Sequence, residues 1–290
     1  MQLRLKVILV LLAALIPFGG SAPAFAAPRY GGISELYLYP YVQYFHWEEE
    51  NNGRRLLTES GPIFGVGTAV GLNLLQTDTN GSLVLKTKGE LFGGVVDYDG
   101  QTQSPSSLPV KTDVTYFGGK GELNLGWSFP AGRFAIQPFS GIGYRVWLRD
   151  LHDSSTTTNT SGQRNGGSQV VQVQGYTETW ESAYARLGLT LSHTFDNDWR
   201  MFLEGGASYP FYNTNSVDII GNGTATIRPE GRWSAFGEMG IRTGKIRTAL
   251  FYQGYRTDQS PSVRVSQSIA ILQPRSAEDV VGVSVGYCFR

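Results

Sequence analysis

A period-two alternation of side chains, kept up over long runs, does most to limit what this chain can fold into. Ten runs show it, at about 33–47, 60–75, 82–98, 112–129, 133–149, 176–195, 199–212, 231–243, 245–258 and 278–289. In the second, Pro62, Phe64, Val66, Thr68, Val70, Leu72 and Leu74 share one parity. Gly65, Gly67, Ala69, Gly71 and Asn73 share the other. Successive side chains of a strand point to opposite faces, so each run specifies a two-faced strand. The first run is the least regular, because apolar residues fall on both of its faces.

The connections are as informative as the runs. Four are short: TDTNG at 77–81, PAG at 130–132, DND at 196–198 and TGK at 243–245. Their residues tolerate tight-turn dihedrals. Five are long and polar, at about 48–59, 99–111, 150–175, 213–230 and 259–277. Long and short alternate strictly. In an up-and-down meander, alternate connections lie at opposite ends of the sheet. The short turns and both termini therefore share one end, and the long loops the other. We expect an all-β chain forming a ten-stranded antiparallel up-and-down transmembrane β-barrel, with eight or twelve strands as the alternatives.

Residues 1–26 have the form of a cleavable signal peptide. Arg4 and Lys6 precede the apolar run VILVLLAALI, and Ala24-Phe25-Ala26 supplies a cleavage site after Ala26. That apolar run is shorter than the roughly 20 residues a membrane-spanning helix needs. Residues 27–290 then form a single barrel domain. Losing Arg4 and Lys6 leaves 22 of the 24 basic residues against 24 acidic ones. Such a balance gives no reason to expect a nucleic-acid partner. The lone Cys288 has no partner for an intramolecular disulfide.

Charges within the runs fall on one parity and leucines on the other. Lys86, Lys88 and Glu90 oppose Leu83, Leu85 and Leu91. Lys120 and Glu122 oppose Leu123 and Leu125, and Arg186 opposes Leu187 and Leu189. Arg145, Arg149, Arg200, Glu204, Glu238, Arg242 and Arg247 complete the inward set. A Lys or Arg facing lipid at mid-membrane costs about 2–4 kcal/mol, so these residues belong inside. Both signs are present. Either they pair into a packed lattice that fills the lumen, the favoured reading, or they line a polar pore. The six tryptophans avoid mid-strand. Trp127 and Trp199 fall beside short turns, and Trp47, Trp147, Trp180 and Trp233 near long loops, as two interfacial belts require. Trp147 and Trp180 lie on the inward parity and would instead plug the lumen mouth.

The chain ends VGVSVGYCFR. This segment resembles the terminal assembly signal of bacterial outer-membrane β-barrel proteins, with Val283, Val285, Tyr287 and Phe289 matching its alternation and closing aromatic. Arg290 departs from it by following the aromatic. With the signal peptide and meander, the resemblance spans the mature chain. It implies residence in the bacterial outer membrane, contact with outer-membrane lipids, and recognition of the last strand by the barrel-assembly machinery. The loops then offer a surface to an extracellular partner.

Ten strands also resemble the omptin proteases, which carry a paired acid at one rim and Asp-x-His across from it. Asp97-Tyr98-Asp99 resembles the first half; Asp218 in the fourth long loop has no histidine beside it. His46, His152 and His193 are too dispersed for a metal cluster. A lipid-cleaving rim site could use His46 if a Ser or Asp stood beside it. Phosphate-binding glycine loops and zinc motifs are absent, so no cofactor is expected. The leading expectation is a non-enzymatic surface protein with an ion-paired lumen and five long external loops. The alternatives are a small polar-solute pore and a rim-located lipid- or peptide-hydrolysing barrel.

Overall fold

The computed structural model describes residues 31–77, 81–102, 107–159, 168–197, 199–219, 223–266 and 270–290. The expected signal peptide lies outside them, as do residues 78–80 of the first short turn.

Among the described residues sixteen strands follow in chain order. They are β1 Ile33–Asn51, β2 Arg54–Thr77, β3 Gly81–Gln101, β4 Pro109–Ala131, β5 Phe134–Leu151, β6 Ser154–Asn159, β7 Ser168–Val173 and β8 Thr177–Thr194. After them come β9 Arg200–Ile219, β10 Gly223–Ile227, β11 Gly231–Arg232, β12 Ser234–Thr243, β13 Ile246–Thr257, β14 Val263–Arg264, β15 Ala270–Ile271 and β16 Arg275–Cys288. Ten of them make the barrel, in the order β1-β2-β3-β4-β5-β8-β9-β12-β13-β16, each antiparallel to its neighbour. Pairing of β16 with β1, from Tyr37↔Cys288 to Glu50↔Arg275, closes the wall and leaves the barrel without a free edge.

The strands outrun the sequence reading at the upper end, and one expected loop is corrected. In place of a long connection over 48–59, β1 and β2 continue to a two-residue turn, Asn52-Gly53, with φ of 52° and 75°. Two positive φ values suit the right-handed twist of a tight hairpin. The charged run EEENNGRR forms the tip of this hairpin, with Glu48, Glu49 and Glu50 still paired to β16 and Asn51 to Arg55 raised beyond it. β6 and β7 pair as a second raised hairpin, and β10 folds back on the top of β9. The upper end is thus largely a collar of strands.

The outer face is an apolar band. Val281, Val283, Val285 and Tyr287 on the last strand, and Phe289 just past its end, are all exposed. Leu187, Leu123, Ile142 and Phe64 continue the band around the wall. Phe129, Phe134 and Trp199 mark its lower margin, and Phe117, Phe211 and Trp233 its upper one. On β4, Phe117 and Phe129 bracket a height of roughly 30 Å at the usual strand rise and tilt. Trp47 corrects the belt assignment: only 3% exposed, it lies inside the barrel.

β1 is apolar on both faces because its inner face is aromatic. Tyr37, Tyr39, Tyr41, Phe45 and Trp47 are all buried. The neighbouring strand makes room with glycine. A Cβ on Gly65 would collide with the Tyr41 ring, and one on Gly67 with the Tyr39 ring.

Candidate functional site: the barrel lumen

All thirteen charged residues singled out in the sequence face the lumen. They form three levels.

At the lower level, Lys88 and Lys120 bracket Glu90 at 3.0 and 2.8 Å, and Tyr39 donates to the same carboxylate at 2.6 Å. Arg247 pairs with Glu238 at 2.6 Å, while Arg186 pairs with Glu122 and approaches Glu204 at 3.7 Å. Rings sheathe the guanidinium groups: Phe236 lies 4.0 Å from Arg186, and Phe202 4.1 Å from Arg247. A cavity of about 100 Å³ remains among these side chains.

The middle level is a tie across the barrel axis. Arg145 on β5 reaches Glu278 on β16, five places away around a ten-stranded wall, at 2.7 and 2.8 Å. Trp147 and Tyr255 stack on its guanidinium at 4.2 and 4.6 Å. Two contacts near the lower level also span opposite walls. Lys88 on β3 reaches Glu238 on β12 at 3.6 Å, and Lys120 on β4 donates to Gln253 on β13 at 2.7 Å.

At the upper level, Arg149 holds Glu59 and, at 3.0 Å, Glu178. Tyr116 also donates to Glu59, and Trp180 to Glu178 at 2.7 Å. Trp180 stacks on Trp147 at 5.5 Å and meets Trp47 from the opposite wall at 5.3 Å. Above them Glu49 accepts from Trp47 at 3.2 Å and from Gln273 of the last connection at 2.7 Å. This residue stands above the upper aromatic margin. Burial pushes its carboxyl up to about 7, against the pull of Arg149.

Glu49, Glu59, Glu178 and Glu278 escaped the sequence reading. Parity carried upward would have found three of them: Glu59 shares the face of Gly61 and Ile63, Glu178 that of Arg186, and Glu278 that of Val280. The charge along the axis is uneven. The buried upper and middle levels hold four carboxylates and two arginines. The cavity below is lined by seven basic and five acidic side chains.

Other sequence candidates lie outside the lumen. Asp97 and Asp99 point outward, and Asp99 pairs with Lys111 at 3.2 Å. His152 bonds Thr115 at 2.9 Å, and His193 lies between Phe134 and Phe195. Among the described residues no group of three His, Cys, Asp or Glu could hold a metal ion. Cys288, by contrast, is buried inside the barrel in the cluster that holds Tyr37 and Tyr39, with its thiol free.

No family model matches this sequence, and no curated protein does. Among solved structures, the outer membrane protease OmpT from Escherichia coli superposes with a TM-score of 0.58 at 10% identity, over 93% of this chain and 99% of that one. This chain has the fold of an outer-membrane β-barrel. The translocator domain of the autotransporter NalP from Neisseria meningitidis aligns over 99% of this chain and 95% of its own at 10% identity, with a TM-score of 0.36. A FadL homologue from Pseudomonas aeruginosa gives 0.33 at 13% identity, over 88% and 90%. At these scores they add nothing to the outer-membrane barrel assignment, and at 10% identity OmpT speaks for the fold alone.

Proposed function

We propose that the protein is exported, loses residues 1–26 and sits in the bacterial outer membrane as a closed, non-catalytic barrel. It acts through its outer wall and raised hairpins, and passes no solute. One observation carries this reading: side chains from opposite walls meet at every level, in Lys88–Glu238, Arg145–Glu278 and Trp47–Trp180. A ten-stranded wall is narrow enough for such contacts to fill it. The lower cavity, at about 100 Å³, has room for only several waters. The apolar band faces lipid, and the last strand is the segment offered to the assembly machinery. Single-channel recording tests the reading: a silent bilayer supports it, and steady steps overturn it.

One observation favours a second reading, a lipid-cleaving rim. His46 on β1 is in register with Ser60 on β2 and with Asp279 on β16. All three are half-buried on the outward parity, one row above the exposed Tyr44 and Val281. Nucleophile, base and acid thus stand side by side where an acyl ester of the outer leaflet would lie. In that chemistry Ser60 attacks the ester carbonyl, His46 takes its proton and returns it to the leaving alcohol, and water then releases the acyl group. Asp279 is at present bound by Arg256 and Tyr252, at 2.6 and 2.7 Å, so closure onto His46 requires those side chains to move. A fluorophosphonate probe that labels the native protein and not Ser60→Ala would support this reading; a native protein that stays unlabelled in lipid removes it.

A further inference from the structure

The lower lumen contains an arrangement that ion pairing within the chain leaves unbalanced. Arg242 on β12 is directly opposite Arg200 on β9 and directly opposite Arg247 on β13. Three arginines therefore occupy one row on three adjacent strands, all facing the same cavity. Facing cross-strand side chains have Cβ atoms about 5 Å apart, and like charges so placed repel. Arg247 is relieved by Glu238. Arg200 and Arg242 have no carboxylate within ion-pair distance among the described residues; their bonds go to Ser192 at 3.2 Å and to the Gly244 carbonyl at 3.1 Å. Lys86 lines the same cavity from the facing wall and has no ion pair among the described residues.

The carboxylates around this cavity are committed elsewhere. Glu90 serves Lys88 and Lys120, Glu122 and Glu204 serve Arg186, and Glu238 serves Lys88 and Arg247. Of the five acids lining the cavity, Glu35 is the one without an ion pair among the described residues. Three unpaired bases against one unpaired acid leave a surplus of two positive charges. Higher in the same cavity, on β8 opposite Ser208 and eight places along β9 from Arg200, another donor is unused. Arg186 is 5% exposed, lines the cavity, and its Nε–H donates to nothing. A buried charged donor left unused costs free energy unless something occupies the space before it.

We propose that this lower vestibule binds a small phosphate dianion, entering from the mouth at which the chain termini lie. The dianion offsets the surplus charge. Guanidinium forks match tetrahedral oxyanions with two parallel hydrogen bonds, so Arg200 and Arg242 would grip it at the mouth and Lys86 would reach it as a point charge. Inorganic phosphate and the phosphate end of a small monoester share this chemistry. The proposal rests on the barrel interior and not on how the barrel is oriented in a membrane. It holds whether or not the lumen conducts.

The test is isothermal titration of the refolded full-length protein in a non-ionic detergent. Inorganic phosphate and glycerol 3-phosphate are titrated against chloride of equal ionic strength, with folding checked by heat-modifiable gel mobility. Both phosphates should bind with one site per chain. Arg200→Gln combined with Arg242→Gln should weaken binding by about ten-fold or more. Arg200→Gln alone, at an exposed position, should weaken it less, and Lys111→Gln at the far end should leave it unchanged. Phosphate that does no more than chloride overturns the proposal. So does a double variant that binds like the native protein, or a site that answers only to phosphodiester lipids.

Discussion

Arg145 and Glu278 are 133 residues apart in sequence and on opposite walls of the barrel, yet their side chains meet at 2.7 Å over the axis. Both are nearly inaccessible, at 3% and 1% exposure. A buried pair of this kind contributes little net stability, because desolvation offsets most of the attraction. Breaking it is another matter. Glu278→Ala leaves a guanidinium buried and uncompensated, and should cost about 3–5 kcal/mol. Replacing both partners, Arg145→Leu with Glu278→Leu, should stay within about 2 kcal/mol of the native protein. Urea titration in micelles, followed by tryptophan fluorescence, separates these outcomes. Equal losses in the single and double variants would show that the pair does not act as a unit.

Glu49 sets a pH dependence at the upper cap. Its carboxyl moves from an ordinary value of 4.5 up to about 7, so the folded state prefers the protonated form. For a raised acid the contribution to stability is complete below about pH 4.5 and is lost as pH rises through about 7. The whole effect is on the order of 3 kcal/mol. Protonated Glu49 still accepts the Gln273 amide. Ionised, it is disfavoured by burial and by Glu178 and Glu59, and favoured by Arg149 and the Gln273 amide. Hydrogen exchange around Gln273 should therefore be slower at pH 5 than at pH 8, after correction for intrinsic rates. Glu49→Gln should abolish the difference. Equal protection at both pH values in the native protein would count against the assignment.

Parity made most of this fold legible. Lys86 and Lys88 oppose Leu85 and Leu91 because a wall between lipid and lumen permits no other arrangement, and the last strand repeats the rule from Val281 to Tyr287. The turn at Asn52-Gly53 carried the strongest short hairpin signal, but five flanking charges made the stretch look like a loop. Those charges stand clear of the apolar band, where a strand meets no lipid to forbid them. Trp47 was misplaced because β1 is apolar on both faces, and only the glycines of β2 show which face is inside. The partners across the lumen were not legible. Which wall faces which depends on strand count, stagger and closure together, and no local pattern encodes that Arg145 meets Glu278. The row of Ser60, His46 and Asp279 was hidden for the same reason: it needs the closing register of β16 on β1.

The central claim is that opposing side chains fill the lumen. Single-channel recording of the refolded protein in a planar bilayer tests it most directly, with folding confirmed by heat-modifiable mobility and an open porin as the positive control. The filled lumen predicts a bilayer that stays silent at moderate voltage. Steady, reproducible conductance steps from the folded native protein would contradict it, and would make Lys86, Lys88, Arg145 and Arg186 the lining of a pore.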